Sequence, residues 1–535
     1  MSRRDTRWRI STGVALLLLA FALRMWNIGG PSLWLDEAMM LARAHTSWWT
    51  AVAGRVSTDL APPVFPVLLH VWSGLGVQDA LVRFPSVVFG VLAVTVMLRL
   101  PRPSPPFPLS HLGERGGKTR SILPPLPLWK RGGKTRSILP LLPLWERGPG
   151  GEGPLAALIL ALAPTQVYHA QQANVYALVA LLSALIFVTA QYAARGGRRA
   201  WLALAALAAV GAYTYYGLAF LFAGMVGWLG IVYLRQYLKL LTPRMHPKLP
   251  VIGVGLAVVG AAILPLVPVA LERSAEGAIA WTGSYAVLND WVGLRIFAVG
   301  LVAEGIVGPL FPYAQVPTWL AVTLTVLFAL GVWRRPTWFV WGWLVPLGLA
   351  YVASGYGVYP FSQRHLLFVA PVTYALLAAG LLALQPTTWR WPTIATLALV
   401  LVVGWPALRL DVPWHANLPQ EELKPVLESI APDYRPTDAV YVTYGATAAA
   451  GHYQELGLLP ADAYMHNGWY AGRVGVQADR ALGVAGNKPR LWVVMSHTQP
   501  DEEEQLARAL THRGAHLIQY VPALGASALL FDMGN

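Results

Sequence analysis

The chain has 535 residues, of which 56% are hydrophobic and 12% are charged, and its mean hydropathy is +0.49. This composition excludes an ordinary water-soluble domain and predicts a polytopic membrane protein. The apolar runs are continuous rather than alternating, so they indicate helices. The net charge of +14 does not indicate nucleic-acid binding, because the basic residues cluster between apolar runs, as the positive-inside rule predicts. With no cysteine, a disulfide framework and a thiolate metal site are excluded.

Eleven apolar stretches approach the ~20 residues that a membrane span needs. They lie near 10–27, 84–101, 154–168, 174–193, 200–216, 217–234, 250–271, 316–333, 337–354, 365–384 and 392–409. The short stretches within 200–234 leave open that one of them is not a full span. Arginines precede the first stretch without a cleavage site after it, so we expect an uncleaved helix.

The Lys and Arg residues predict the orientation of the chain in a cell membrane. With eleven spans most basic segments fall on one side, which must be the cytoplasm. The N-terminus is then cytoplasmic, and everything after residue 410 is extracytoplasmic. Two further apolar stretches, Pro62–Gly76 and Trp291–Pro312, break this pattern as spans, so we predict juxtamembrane helices on the outer face.

Residues 102–153 interrupt this membrane domain, which we assign to 1–409. Gly116–Lys130 recurs sixteen positions later as Gly132–Glu146, and this period fits no common solenoid. The proline and glycine content predicts a disordered cytoplasmic insertion. Either it has no function, or its basic surface binds anionic lipid headgroups.

The composition changes again in the final segment, 410–535. Buried strands are predicted at Val440–Tyr444, Leu491–Ser496, His516–Val521 and Ser527–Phe531. Helices are predicted at Glu421–Ile430, Ala446–Leu456 and Glu502–Arg513. The segment therefore reads as a small α/β extracytoplasmic domain, without a glycine-rich phosphate loop.

Polar residues gather where the chain is predicted to reach the outer face. Asp36 and Glu37 follow the first span, and further polar groups lie in corresponding outer turns. These are Arg43, Asp59, His70, Arg83, the turn 163–176, Tyr213, Tyr215, Tyr216 and the segment 356–365. Arginine can clamp a phosphate, and a carboxylate can accept a proton from an attacking hydroxyl. Such a mixture suits a polar substrate whose apolar tail lies in the bilayer.

These motifs, in this order, resemble the membrane glycosyltransferases of the GT-C class. The closest likeness is to the family 39 group, which includes protein O-mannosyltransferases and bacterial aminoarabinose transferases of lipid A. The pieces that carry the resemblance are Trp34–Glu37, Asp59–Phe65, Leu68–Trp72, Val82–Gly90, Pro164–Tyr176 and Gln363–His365. The small C-terminal domain also fits bacterial relatives.

The resemblance implies an inverting transfer of a sugar from a polyprenyl-phosphate donor to a lipid, glycan or protein acceptor on the outer face. Asp36 matches the family's catalytic aspartate, and Glu37 would help position a substrate. Arg364 matches a position associated with the lipid phosphate. The remaining candidate substrate-binding residues are Asp59, Arg83, Gln171, Tyr176 and His365. One departure is clear: the family's turn carries an acid and a base where this chain has Gln172 and Asn174.

Structural alternatives to these roles stay open. Asp36 and Asp59 could cap helices, and Glu37 could face water. Arg83 and Arg364 could anchor span ends at the interface. The remaining candidates, Gln171, Tyr176 and His365, could be packing or helix-start residues.

Neither a structural metal nor another cofactor is predicted, although the residues leave open a divalent cation bound through Asp36. The expected partners are the lipid-linked donor, its acceptor and membrane lipid. Two rival functions remain. A transporter or flippase would favour charges at mid-membrane, for which Arg24 and Glu304 are the main candidates. A catalytically inactive relative is the other.

Overall fold

The computed structural model describes residues 3–45, 62–101, 151–195, 197–239, 298–311, 316–384, 394–395, 398, 421–466, 474–498 and 501–534. Within these ranges the chain forms a bundle of apolar helices and a small α/β domain. The helices of the membrane part are α1 (Arg3–Met25), α2 (Leu35–His45), α3 (Val64–Ser73), α4 (Asp79–Leu98), α5 (Glu152–Leu162), α6 (Pro164–Ala170), α7 (Tyr176–Ala193), α8 (Arg198–Ala212), α9 (Gly217–Lys239), α10 (Ala298–Val307), α11 (Thr318–Arg334), α12 (Pro336–Gly355) and α13 (Gln363–Ala383).

Five helices of the described ranges, α4, α7, α9, α12 and α13, are long and apolar enough to cross a membrane. They confirm a multi-pass membrane protein, and α1 and α11 fall on two further predicted spans. Helix α8 has only 15 residues, short of the ~20 that a straight span needs. The predicted spans 250–271 and, largely, 392–409 lie outside the described residues, so the number eleven stays a prediction.

The span predicted at 154–168 is broken in the structure. Helix α5 ends at Leu162, and Pro164 starts the separate helix α6. Proline is favoured in the first turn of a helix, where its missing N–H costs nothing. The outer turn predicted from Pro164 therefore contains a helix of its own. Helix α3 lies within the predicted juxtamembrane segment Pro62–Gly76, and α10 is the described helical part of Trp291–Pro312.

Close helix contacts hold the bundle together. Helix α13 packs against α5 and α11, and α4 packs against α1, α5 and α7. A Cβ added at Gly331 or Gly380 would collide with backbone carbonyls of the facing helix, Leu376 and Leu327 respectively. Small residues of this kind let membrane helices approach backbone to backbone.

Buried Arg24 joins two helices rather than facing a cavity. Its Nη1 donates to the carbonyls of Ala20 and Ala161, and its Nη2 donates to the carbonyl of Leu160, all at 3.0–3.1 Å. Ala161 and Leu160 lie in the last turn of α5, where carbonyls lack helical partners and the helix dipole favours a cation. Arg24 thus caps α5 from within α1.

The C-terminal domain contains a five-stranded sheet of order β2-β1-β3-β5-β4. Its elements are α14 (Leu423–Ile430), β1 (Ala439–Val442), α15 (Tyr444–Glu455), β2 (Tyr464–Met465), α16 (Val474–Ala485), β3 (Arg490–Ser496), α17 (Glu502–Thr511), β4 (His516–Ala523) and β5 (Ala526–Asp532). Strand β1 is parallel to β2 and β3, whereas β5 is antiparallel to β3 and β4. The four predicted strands and three predicted helices are confirmed within about two residues. Burial is confirmed for β1, β3 and β5. The prediction that β4 is buried was wrong, because β4 lies at an edge of the described sheet and its side chains are exposed or half-buried. The sequence prediction missed β2 and α16.

The boundary at 409/410 lies outside the described residues, as does the predicted insertion 102–153 except for its last three positions. The division into domains therefore stays a prediction.

Candidate active site

The predicted acid pair opens helix α2. Asp36 and Glu37 lie in its first turn, where the helix dipole favours negative charge. Because neighbouring residues of a helix point about 100° apart, the two carboxylates reach different partners. Asp36 lies at a partly open position, with 29% of its side chain exposed, whereas Glu37 is 1% exposed.

Asp36 forms an ion pair with Arg364. Arg364 Nη1 donates to Asp36 Oδ2 at 2.7 Å. Arg364 is the second residue of α13, whose first turns, Gln363–Val369, form a 3₁₀-helix. The beginnings of α2 and α13 therefore meet at this pair. The Arg364 side chain is 17% exposed, so an incoming ligand can reach both groups.

Glu37 and Arg83 form a second pair that is fully enclosed. Arg83 Nε and Nη2 donate to the two Glu37 oxygens at 2.8 and 2.7 Å. Arg83 also donates to the carbonyls of Ile28, Pro31 and Ser32 at 2.8–2.9 Å. These five bonds use all five N–H groups of a guanidinium. The pair therefore fixes the loop before α2 against α4. The Arg83 guanidinium has no further N–H group with which to bind a substrate.

The turn between α6 and α7 completes this arrangement. Glu37 Oε1 accepts the Ala173 N–H at 2.6 Å. Gln171 Nε2 donates to the carbonyls of Leu23 and Trp26 at 3.1 and 3.0 Å. The turn is thereby bound both to the end of α1 and to the beginning of α2.

The two amides that depart from the family pattern are buried and bond locally. Gln172 Oε1 lies 3.3 Å from His169 Nδ1, and Asn174 Oδ1 accepts the Val175 N–H at 2.6 Å. Both residues are at most 5% exposed. Because both side chains are neutral amides, this turn buries no unpaired charge at these two positions.

Tyr176 and His365 belong to an aromatic cluster beside the turn. The Tyr176 ring lies 4.8 Å from the His169 ring and 6.2 Å from the Tyr215 ring. Tyr359 continues the cluster, since its hydroxyl lies 3.2 Å from that of Tyr215 and donates to the His365 carbonyl at 2.6 Å. The His365 ring is paired through Nδ1 with the Ser362 hydroxyl at 2.7 Å. Tyr176 and His365 therefore belong to the same aromatic cluster, in which Tyr176 is buried, with 7% of the residue exposed.

Asp59 lies outside the described residues, so its predicted role stays a prediction. Among the described residues no group of three or more His, Cys, Asp or Glu side chains is arranged to hold a metal ion.

The C-terminal domain contributes residues that the sequence prediction missed. Glu421 Oε2 accepts the Leu35 N–H at 2.9 Å, and Glu421 Oε1 lies 2.6 Å from His497 Nδ1. Glu422 accepts both the N–H and the hydroxyl of Ser32, at 3.2 and 3.0 Å. No sequence motif marks Glu421, Glu422 or His497 as functional. Their contacts with the segment before α2 become visible only in the folded protein.

The hydrogen bond with Glu421 raises the pKa of His497 above its usual value, although partial burial opposes this. The negative charges of Glu421, Asp36 and Glu502 raise the pKa further. The field of Asp36 therefore reaches His497, and His497 is a cation over a wider pH range than a free histidine.

An apolar cavity of about 850 Å³ lies between α3 and α4. It is lined by Pro63, Val64, Val67, Leu68, Val71, Trp72, Leu75, Pro85, Val88, Phe89 and Tyr213. Helix α3 also packs against α2, the helix of the acid pair. The cavity is thus an apolar space next to a polar site.

Together the helical bundle, its polar cluster and the small α/β domain define a multi-pass membrane protein with the fold of the solved ArnT structures. The chain is similar to the crystal structure of ArnT from Cupriavidus metallidurans in the apo state, with a TM-score of 0.53 and 13% identity over 98% of each chain. It is similar also to that ArnT bound to undecaprenyl phosphate, with a TM-score of 0.51 and 12% identity over 97% of each chain. No family model and no curated protein matches the sequence. At this identity the likeness establishes the fold, and it confirms the resemblance at that level.

Proposed function

We propose that the protein is an inverting glycosyltransferase, which moves a sugar from a polyprenyl-phosphate donor to a lipid, glycan or protein acceptor on the outer face of the membrane. The observation that carries this proposal is the Asp36–Arg364 pair. It joins a carboxylate and a guanidinium, a group suited to binding phosphate, at one partly open position.

The chemistry assigns one role to each member of the pair. Asp36 accepts the proton of the acceptor hydroxyl as its oxygen attacks the anomeric carbon. The bond between that carbon and the phosphate oxygen breaks on the opposite face, which inverts the configuration. The leaving polyprenyl phosphate gains negative charge, which Arg364 stabilises through charge-assisted hydrogen bonds.

Glu37 contributes to this reaction indirectly, by fixing the helix turn that carries Asp36. Its carboxylate is enclosed by Arg83 and the Ala173 N–H, so it orients α2 rather than contacting substrate. Gln171 fixes the same turn to α1. Tyr176 and His365 belong to the aromatic cluster beside this turn, and buried Tyr176 supports that cluster rather than offering a surface to the sugar.

The cavity between α3 and α4 supports a lipid-linked donor. Its lining is almost wholly apolar and its volume of about 850 Å³ accommodates part of an isoprenoid chain. The structurally similar ArnT binds undecaprenyl phosphate, a lipid of this class. In this proposal the phosphate lies at Arg364 and the chain extends along α3.

A transporter or flippase is the main rival, and Arg24 is one of the charges that would favour it. Three carbonyls hold the Arg24 guanidinium in a cap on α5. A charge fixed in this way has a structural role and needs no translocation pathway to explain it.

Transfer in purified proteoliposomes tests the proposal. We would supply a panel of polyprenyl-phosphate monosaccharides with envelope lipid, glycan and protein acceptors, and compare wild type with Asp36→Asn and the exposed control Asp479→Asn. We expect transfer by the wild type and the control, and a loss of about 10²–10⁴-fold in Asp36→Asn with donor binding retained. Equal transfer by all three would remove Asp36 as the base. No transfer by the wild type with any donor would contradict the proposed function.

A further inference from the structure

The C-terminal domain binds the segment that leads into helix α2. Besides the Glu421 and Glu422 contacts, the Tyr453 hydroxyl accepts the Leu33 N–H at 2.8 Å, and the Lys424 N–H donates to the Ser32 hydroxyl at 3.0 Å. Three of the four backbone N–H groups from Ser32 to Leu35 are thus bound by side chains of the C-terminal domain. This contact lies directly before Asp36.

Two ion-paired groups extend the same contact to α4. Asp79 Oδ1 lies 2.9 Å from His452 Nε2, and Asp79 Oδ2 lies 3.2 Å from Lys424 Nζ. Asp79 and His452 are both 3% exposed. The C-terminal domain is therefore bound both to the loop of the candidate site and to the helix that carries Arg83.

Within this contact, Glu421 binds Leu35, the residue directly before Asp36. It accepts the N–H of Leu35, the first residue of α2, which otherwise has no helical acceptor. Its second oxygen is held by His497 at 2.6 Å. His497 has a left-handed backbone, with φ of 52°, which non-glycine residues adopt where the surrounding structure imposes it.

We propose that the C-terminal domain completes the candidate active site, with His497 as a positioning residue that holds Asp36 in place through Glu421. This inference rests on the proposed function, because it assigns His497 a part in the same transfer. His497 does not react. Its imidazolium keeps the Glu421 carboxylate charged and oriented, and Glu421 in turn fixes the first turn of α2.

The charges around His497 favour its protonated, positively charged form. Glu421 faces it from the segment before α14, Asp36 from α2, and Glu502 from α17. From α15 the residue next to it is Gly445, whose added Cβ would lie 3.0 Å from the His497 Cβ. Among the described residues, the three charged groups that act on His497 are all acids, so a positive His497 is favoured.

A pH profile separates positioning from simple folding support. His497 is charged below its raised pKa and neutral above it, so transfer should fall on the alkaline side as this charge is lost. His497→Gln keeps a hydrogen-bond donor for Glu421 but cannot be charged. We expect kcat to fall about 10- to 100-fold, the cost of a small misplacement, with little change in donor KM and without the alkaline limb.

Two further variants make the profile decisive. His497→Lys restores a cation and should recover part of kcat while moving the alkaline limb to higher pH. His512→Gln, an exposed histidine of the same domain, should match the wild type throughout. A His497→Gln protein with the wild-type kcat and pH profile would overturn the proposal.

Amide hydrogen exchange of the full-length protein gives a readout that does not need transfer. We expect the peptide spanning residues 31–38 to exchange at least several-fold faster in His497→Gln than in wild type, and at the wild-type rate in His512→Gln. If the wild type transfers no sugar, the proposed function fails, yet faster exchange would still show that His497 holds this segment. Unchanged exchange in His497→Gln would overturn its positioning role.

Discussion

Arg364 Nη1 lies 2.7 Å from Asp36 Oδ2, although the two residues are 328 positions apart in the chain. The contact joins the beginning of α2 to the beginning of α13. A phosphate that enters the site competes with Asp36 for this guanidinium, since both anions suit the same donor fork. In the proposed reaction, binding of the donor phosphate therefore draws Arg364 from Asp36 and leaves the carboxylate available as a base.

Substitution of Arg364 should weaken donor binding and slow transfer together. Arg364→Gln removes the cation but keeps a polar side chain. We expect donor KM to rise about 10- to 100-fold, as a hydrogen bond to a charged group contributes about 1.5–3 kcal/mol. We also expect a fall in kcat, because the leaving phosphate loses its counter-charge. Steady-state transfer and binding of the free polyprenyl phosphate measure the two effects.

Arg364→Lys should recover part of the binding but not the geometry, because lysine cannot form the planar fork. The control is Arg508→Gln, whose native side chain is 69% exposed in the C-terminal domain. Unchanged donor KM in Arg364→Gln would remove this residue from the phosphate site.

The Glu37–Arg83 pair should contribute to stability as well as to activity. Glu37→Gln leaves the Arg83 cation buried without its counter-charge, and breaking a buried pair on one side costs about 3–5 kcal/mol. We expect a clearly lower thermal midpoint in detergent, and a double-mutant cycle with Arg83→Gln should show coupling of about 0.5–3 kcal/mol.

A conservative change makes this test sharper. Arg83→Lys keeps the charge but cannot replace the five hydrogen bonds, so we expect it to be destabilising. Arg99→Lys, an exposed position just beyond α4, should leave the midpoint unchanged. Additive effects of Glu37→Gln and Arg83→Gln would contradict the pairing.

The sequence identified both members of these pairs but not their pairing. Hydropathy and charge placed Asp36, Glu37, Arg83 and Arg364 near the outer ends of helices, because those signals are local. Partner choice is not local: it depends on how α2, α4 and α13 pack together. An arginine at a span end reads as an interfacial anchor in sequence, yet Arg83 is 2% exposed in the structure.

In the C-terminal domain, too, the sequence predicts only those strands and helices that have a clear local pattern. Strands β1, β3 and β5 were predictable from apolar runs, whereas β4 was predicted as a strand but not with its observed exposure. Strand β2 has two residues, too few for periodicity. Helix α16 contains Gly475 and Gly483, which lower helix propensity by about 1 kcal/mol each relative to alanine, and packing of its alanines onto the sheet compensates. The contact of Glu421 with Leu35 crosses between domains and has no pattern in sequence.

Acid should destabilise the C-terminal domain through Asp438. Burial alone would raise the pKa of Asp438, but hydrogen bonds from Arg490, the Arg435 N–H and Trp492 lower it below its usual value. A lowered carboxyl pKa stabilises the fold above the unfolded value of about 3.9, and this contribution is lost as pH falls through the folded pKa.

Asp438→Asn should therefore lower the thermal midpoint at neutral pH, and its difference from wild type should shrink as the pH falls below about 4. Asp462→Asn is the control, since that carboxylate is 63% exposed and surface pairs contribute about 0–1 kcal/mol. A difference that stays constant down to low pH would show that the effect of Asp438 does not arise from its ionisation.

The cavity between α3 and α4 gives a test that depends on the length of the donor lipid. Val67 lines this cavity, and Val67→Trp fills part of it with an indole ring. With a long polyprenyl donor we expect a higher KM and a nearly unchanged kcat at saturation, because only ground-state binding of the tail is lost. A donor with a short isoprenoid tail, which does not reach the cavity, should be used equally well by wild type and variant.

Val210→Trp, on an exposed position of α8 (46% exposed), controls for the added bulk. An equal loss with long and short donors would show that Val67→Trp disturbs α3 itself, whereas an unchanged KM for the long donor would show that the polyprenyl chain lies elsewhere.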